Sequence, residues 1–136
     1  MAAIALRNVR LGEFSKAIAC YTRALDLRPD QTLALVGRGN SHEELGQSEQ
    51  AIADYTAALE LDSSQWEILA NRGVLMYGAG KLAESLADFD RAIELSPDQS
   101  DLYRNRSIVL GDLARHEEAS FDIQTALRLE ARAHPA

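Results

Sequence analysis

The chain has 136 residues, a formal net charge of −7, a pI near 4.9 and a hydrophobic content of 46%. This length predicts one domain with a continuous core. The acidic balance argues against a sequence-independent nucleic-acid binder and against binding to anionic membranes, since both need a basic face. The single cysteine cannot form an internal disulfide, which favours a cytoplasmic location.

Apolar residues recur at helical spacing along the whole chain and predict eight helices. Their approximate ranges are 1–11, 14–27, 31–45, 49–61, 65–79, 82–95, 99–113 and 116–132. No apolar run approaches the roughly 18 residues that a membrane span needs. The N-terminal segment carries its arginines after its apolar residues, so it is expected to begin a helix rather than to act as a signal peptide.

Glycine follows a helical segment at three of the predicted turns. Gly12, Gly46 and Gly80 are expected to take the left-handed conformation that ends a helix. Ala114 holds the equivalent place in the last turn, where that conformation would cost about 1 kcal/mol. The residues expected to cap the following helices are Asp30, Ser64 and Asp98.

These elements repeat every 34 residues. The small residue of each first helix is Ala5, Gly39, Gly73 or Ser107. The second helices carry a small residue four positions before a large one, as in Ala17/Tyr21, Ala51/Tyr55, Ser85/Phe89 and Ala119/Ile123. Pro29 and Pro97 close two of the repeats. With this period and these positions the chain resembles the tetratricopeptide repeat family over nearly its whole length.

The resemblance implies an all-α fold, a right-handed α-solenoid of four antiparallel helix-turn-helix repeats in a single domain, residues 1–136. The repeats span about 1–31, 32–65, 66–99 and 100–133, and the first is clipped at its N-terminus. Tyr55 and Phe89 are expected to be buried between hairpins. The implied function is a non-catalytic scaffold or adaptor that binds a partner peptide or helix in a concave groove. The alternative is a structural unit that dimerises or stacks end to end, without a groove ligand.

In this family the first helix of each repeat builds the concave wall. The residues predicted to bind the partner there are Leu33, Val36, Asn40, Glu43, Glu44, Glu67, Ala70, Asn71, Val74, Tyr77, Asp101, Arg104, Asn105, Ile108 and Asp112. In the first repeat Leu6, Val9 and Arg10 extend the wall. Its apolar floor and mostly acidic rim favour a partner with apolar anchors and basic flanks.

Some relatives grip the C-terminal carboxylate of chaperones with two lysines, two asparagines and an arginine. Asn40 and Asn71 match the asparagines, but Val36 and Asp101 hold the lysine places and Asn105 holds the arginine place. The sequence therefore excludes that specialised function.

Charged residues also follow the period. Arg38, Arg72 and Arg106 are expected to pair with neighbouring acids, and a phosphate-binding ladder is the alternative. A second set with the same period, Asp54, Asp88 and Asp122, is interpreted as a solvated face. Cys20 holds the equivalent place in the first repeat, so it is expected to be partly exposed.

The search for catalytic or metal-binding patterns supports neither. His42 is expected to be a half-buried packing residue, and no histidine pair has the spacing of a zinc helix. No phosphate-binding loop or nucleophile motif occurs, so we expect that the chain is not an enzyme and that it needs no cofactor or metal. The last helix carries Ile123 and Leu127, which predict self-association through that end or burial of this face against a flanking segment of a longer parent protein.

Overall fold

The computed structural model describes the backbone of residues 2–134 and the side chains of residues 10–134. In this part of the chain all regular structure is helical, which confirms the all-α fold. The helices are α1 (Ala2–Leu27), α2 (Thr32–Glu44), α3 (Ser48–Leu61), α4 (Trp66–Gly78), α5 (Leu82–Leu95), α6 (Ser100–Asp112) and α7 (His116–Ala133).

The helices fall into two compact units. Helices α1 to α3 belong to Met1–Ser63, and helices α4 to α7 belong to Ser64–Ala136. Three hairpins, α2/α3, α4/α5 and α6/α7, match the second, third and fourth predicted repeats. The single domain over residues 1–136 and the right-handed sense of the array stay predictions.

The prediction of a hairpin in the first repeat is wrong. Helix α1 runs without a break for 26 residues through Gly12, which does not take a left-handed conformation. A glycine inside a helix costs only about 1 kcal/mol, so it does not force a turn by itself. The first repeat also has Ile4 and Cys20 where the other repeats have an arginine and an aspartate.

The other predicted turns are confirmed. Gly46 and Gly80 have φ of 73° and 77°, and Ala114 takes the same left-handed conformation at φ 60°. Each turn closes with two backbone hydrogen bonds, such as those from Arg115 N–H to the Leu110 carbonyl (2.8 Å) and from Ala114 N–H to the Gly111 carbonyl (3.0 Å). This is the Schellman pattern, which satisfies the last carbonyls of the helix.

The predicted caps are one residue out of place. Gln31, Gln65 and Gln99, each directly after a predicted cap, hold the N-cap positions, and none caps its helix through a side-chain hydrogen bond. The Gln31 amide instead donates to the carbonyls of Ala24 (2.8 Å) and Arg28 (3.1 Å) at the end of α1. This side chain therefore ties the end of one helix to the start of the next.

The core forms where small residues let a large ring reach the neighbouring helix. Tyr55 and Phe89 are 0% and 1% exposed, as predicted. A Cβ added at Gly39 would lie 2.8 Å from the Tyr55 ring, and one at Gly73 would lie 3.0 Å from the Phe89 ring. In the α2/α3 and α4/α5 hairpins the first helix therefore needs a residue without a side chain opposite the aromatic, whereas the third hairpin has Ser107 and Ile123 at these places.

A bidentate ion pair joins the two helices of each hairpin. The guanidinium of Arg72 donates to both carboxylate oxygens of Asp88, over 2.9 and 2.6 Å. The Arg38–Asp54 and Arg106–Asp122 pairs have the same geometry and the same separation of 16 residues. These hydrogen bonds raise the pKa of each arginine. The predicted pairing is confirmed, and the carboxylates occupy the face that a phosphate would need.

The interpretation of the periodic aspartates as a solvated face is wrong. Asp54 and Asp88 are each 5% exposed, and Asp122 is 1% exposed. They are the buried partners of the arginines, which supply the hydrogen bonds that a buried carboxylate requires. Cys20 is exposed, as predicted, although the reasoning that led there does not hold.

We expect the buried pairs to be needed for stability and the exposed ones to be dispensable. Replacing Arg72 by Ala leaves the Asp88 charge buried and unpaired, which should lower the free energy of unfolding by about 3 kcal/mol. Arg115→Ala removes an exposed pair with Glu118 and should leave the free energy of unfolding nearly unchanged. Urea denaturation measures both, and equal costs for the two variants would contradict the structural role of Arg72.

The left-handed alanine is a second place to test the fold. Ala114→Gly should raise the free energy of unfolding by about 1 kcal/mol, because glycine takes this conformation without a steric penalty. The control is Ala87→Gly on an exposed site inside α5, which should lower stability by about 1 kcal/mol. Thermal unfolding of both variants should show shifts of opposite sign, and a destabilised Ala114→Gly would contradict the turn.

Candidate protein-binding surface

All of the predicted groove residues lie on α2, α4 and α6 or directly beside them, and none is buried. Leu6 and Val9 fall outside the residues whose side chains are described. The most exposed apolar members are Leu33 (87%), Ile108 (52%) and Val74 (47%). Their role in binding stays a prediction.

In the second unit, part of the predicted groove is a cleft of about 130 Å³ between α4 and α6. Val74 and Ile108 occupy equivalent places in successive repeats and stand on its two sides. Phe89 and Val109, both 1% exposed, also line it. The cleft is therefore apolar and can hold one aliphatic side chain of a partner.

Polar contacts connect the helices that border this cleft. Tyr77, which lines it, donates its hydroxyl proton to Asp112 Oδ2 over 2.6 Å and so links α4 to α6. This hydrogen bond raises the pKa of Tyr77. The predicted residues Tyr77 and Asp112 thus come together, and Asn105 supplies an amide to the cleft lining.

The one arginine of the predicted groove in this unit is already paired. Arg104 donates to both carboxylate oxygens of Glu130 on α7, over 2.7 and 2.7 Å. The pair holds the pKa of Glu130 below its usual range. No sequence pattern predicts the contact with Glu130, since the residues lie in different helices and no other repeat has the pair.

In the first unit the hydroxyl group of Tyr55 organises two predicted groove residues. It lies 2.6 Å from Asn40 Oδ1 and 2.9 Å from Glu43 Oε1. Both residues remain exposed. The buried tyrosine thus fixes the orientation of an amide and a carboxylate on the surface of α2.

A larger cleft, of about 610 Å³, lies on α5 and α7 and was not predicted. Its lining includes Leu86, Ile93 and the ring of Phe121, which is 62% exposed. The one sequence signal for it is the residue type at position 121, because the three earlier repeats have alanine at this place.

The exposed end of α7 agrees with the predicted apolar face. Ile123 and Leu127 are 43% and 53% exposed, whereas Phe89, equivalent to Ile123 in the preceding repeat, is 1% exposed. Helix α6 packs against α5, and no described element of the second unit takes the corresponding place beside α7. The described residues of the second unit therefore leave this face uncovered.

The histidine predicted to be a packing residue takes part in polar contacts. His42 is half-buried, as predicted, with Nδ1 2.6 Å from Gln47 Oε1 and Nε2 3.8 Å from Asp54 Oδ2. Within the described residues no group of three histidine, cysteine or acidic side chains could hold a metal ion. None of the helices described there has the length and apolar content to cross a membrane.

Solved structures with similar folds are helical-repeat proteins. MamA from Desulfovibrio magneticus RS-1 is 20% identical, with a TM-score of 0.83 over 98% of this chain and 73% of that chain. A double mutant of MamA RS-1 is 19% identical, with a TM-score of 0.87 over 98% and 74%. The second TPR of Spaghetti (RPAP3), bound to the HSP90 peptide SRMEEVD, is 29% identical, with a TM-score of 0.70 over 73% and 92%.

No curated protein matches the chain by sequence. A family model of the tetratricopeptide repeat matches residues 3–65 and 36–100, which together cover most of the chain. The hairpins of that part have the glycine turns and the small-residue and aromatic pairs that the resemblance required. The chain therefore belongs to the tetratricopeptide repeat family.

Proposed function

We propose that the protein is a non-catalytic scaffold that binds a segment of a partner protein along its first helices. The observation that carries this proposal is the cleft between α4 and α6, where Val74 and Ile108 stand exposed above Phe89 and Val109. An exposed apolar surface costs solubility, so a folded chain keeps it mainly where something binds. The second TPR of Spaghetti, which binds a peptide, supports this class of function.

The charges beside the cleft indicate what the partner carries. Glu67, Asp101 and Asp112 are exposed on α4 and α6, while Arg104 is neutralised by Glu130. A partner with an apolar anchor flanked by lysine or arginine would gain from this potential, mostly in its association rate. The HSP90 peptide of the neighbour is acidic, and this chain lacks the lysines that would receive it.

The proposal includes no catalysis and no cofactor. The buried charges of the described region form ion pairs within hairpins, and the histidine closest to one of them, His42, also contacts Gln47. These groups serve to join helices, and they leave no nucleophile beside a base in a closed pocket. The cytoplasmic location expected from the single cysteine stays a prediction.

Peptides selected from a random displayed library would test the scaffold function. We expect the selected sequences to combine an aliphatic or aromatic residue with lysine or arginine. Ile108→Ser should weaken their binding about tenfold, because the anchor loses its contact in the cleft. Fluorescence anisotropy measures the affinity, with SRMEEVD as a peptide that should not bind.

Leu27→Ser is the matched control for that test, because it removes an exposed aliphatic side chain that does not belong to the predicted groove. If the peptides bind this variant as weakly as they bind Ile108→Ser, they do not bind in the cleft. Selection of acidic sequences, or unchanged binding to Ile108→Ser, would contradict the proposal.

Self-association through α7 is the second candidate function. Exposure of Ile123 and Leu127 favours it, since the equivalent face of α5 is packed against α6. A contact between two copies of α7 would give a closed dimer, whereas head-to-tail stacking would extend into a filament.

Light scattering over a dilution series would test this candidate. We expect the parent chain to show a mass that rises with concentration, and Ile123→Glu with Leu127→Glu to remain monomeric, because buried charges oppose the contact. Val74→Glu, on an exposed site outside α7, is the control and should associate like the parent. A parent chain that is monomeric at high micromolar concentration would exclude this function.

A further inference from the structure

The cleft between α5 and α7 is distinct from the surface of the proposed function. It lies mainly on the second helices α5 and α7, with Arg106 and Leu110 of α6 behind them, and none of its lining residues belongs to the predicted groove. The half-buried Leu86 and Ile93 and the buried Leu110 give it an apolar floor. Its volume of about 610 Å³ falls in the range of sites that take up several side chains of a ligand.

Phe121 is the feature of this cleft that the fold does not require. The earlier repeats place Ala19, Ala53 and Ala87 at the equivalent position. Since α5 forms its hairpin with alanine there, the packing of α7 does not depend on the aromatic ring. The ring is 62% exposed, and it also lines a second cleft on α7, with Ser120 and Gln124. A large exposed aromatic side chain between two clefts is typical of an anchor for protein binding.

The charges around the cleft leave a negative rim. Arg106 is held by Asp122 and Asp90, and Arg115 is held by Glu118, so both cations are neutralised within the chain. The lining also carries Glu94 and Glu117, and neither makes an ion pair or a hydrogen bond with another described residue. The carboxylates of the lining outnumber its two arginines, and they are Asp90, Glu94, Glu117, Glu118 and Asp122.

We propose that this cleft is a second docking site, which takes a cationic amphipathic segment of a partner protein. An apolar side chain of that segment packs on Phe121 and Ile93. A lysine or arginine next to it reaches Glu94 and Glu117, and it also gains from the face of the Phe121 ring. The site would let one chain hold two partners at once, because it shares no lining residue with the cleft between α4 and α6.

The probe is a short synthetic amphipathic peptide of leucine and lysine, titrated into the full chain labelled with nitrogen-15. We expect the largest amide shift changes in α5 and in the first half of α7. A peptide with glutamate in place of every lysine should bind at least tenfold more weakly, because the rim repels it.

Phe121→Ala is the decisive variant, since it restores the residue of the other repeats and should leave the circular dichroism and thermal unfolding unchanged. We expect it to weaken binding of the leucine–lysine peptide about tenfold. Leu127→Ala, which removes another exposed apolar side chain from the same helix, is the matched control and should bind the peptide like the parent.

Three results would overturn the inference. Shift changes centred on Val74 and Ile108 would place the peptide in the cleft of the proposed function instead. Normal binding to Phe121→Ala would mean that the ring is not an anchor. A change in the solution mass of the chain alone on Phe121→Ala would show that a second copy of the chain covers this cleft. Failure here with success of the Ile108→Ser test leaves the scaffold function standing.

Discussion

A buried guanidinium–carboxylate pair is the interaction on which the three hairpins depend. The Arg fork and the Asp acceptor face each other across the hairpin, with both oxygens of each carboxylate occupied. Desolvating such charges is costly, and removing one partner costs more than replacing both. The pair therefore specifies which two helices pack together and in which register. Arg38 and Arg106 also reach the preceding helix, through Thr22 and Asp90, so the same side chain aligns neighbouring repeats.

The first repeat illustrates what happens without this pair. Its sequence has Ile4 and Cys20 at the two places, and the chain there continues as one helix through Gly12. Gly46 and Gly80 are in the left-handed conformation, and even Ala114 adopts it where the hairpin carries its Arg and Asp. The turn residue is thus less decisive than the side chains that hold the helices together. A hairpin stabilised by packing and by an ion pair can impose an unfavourable φ, whereas a glycine alone cannot impose a hairpin.

The helices and turns of the last three repeats could be predicted from the sequence because period and apolar spacing report directly on local structure. The role of Asp54 could not, because periodic acidic residues on a helix usually face water, and burial depends on a partner sixteen positions away. A sequence signal for it did exist, since arginine and aspartate occur together in three repeats and are both missing from the first. The predicted groove residues lie at the surface as expected, but the contacts of Arg104 with Glu130 depend on long-range packing that no local pattern encodes.

Because the repeats share one fold, a position where one repeat has a different residue type from the others is informative. In a stacked array each hairpin contacts only its neighbours, so an outward residue can change without disturbing the rest of the fold. Positions that hold helices together keep their chemistry, as Ala58, Ala92 and Ala126 do at 0% exposure. Position 121 instead exchanges a small residue for a large aromatic ring that remains in water. Such a change adds no packing and exposes apolar area, and this is the basis of the proposal that a partner covers it. The same reasoning applies to Val74 and Ile108, where Asn40 shows that a polar residue satisfies the fold equally well.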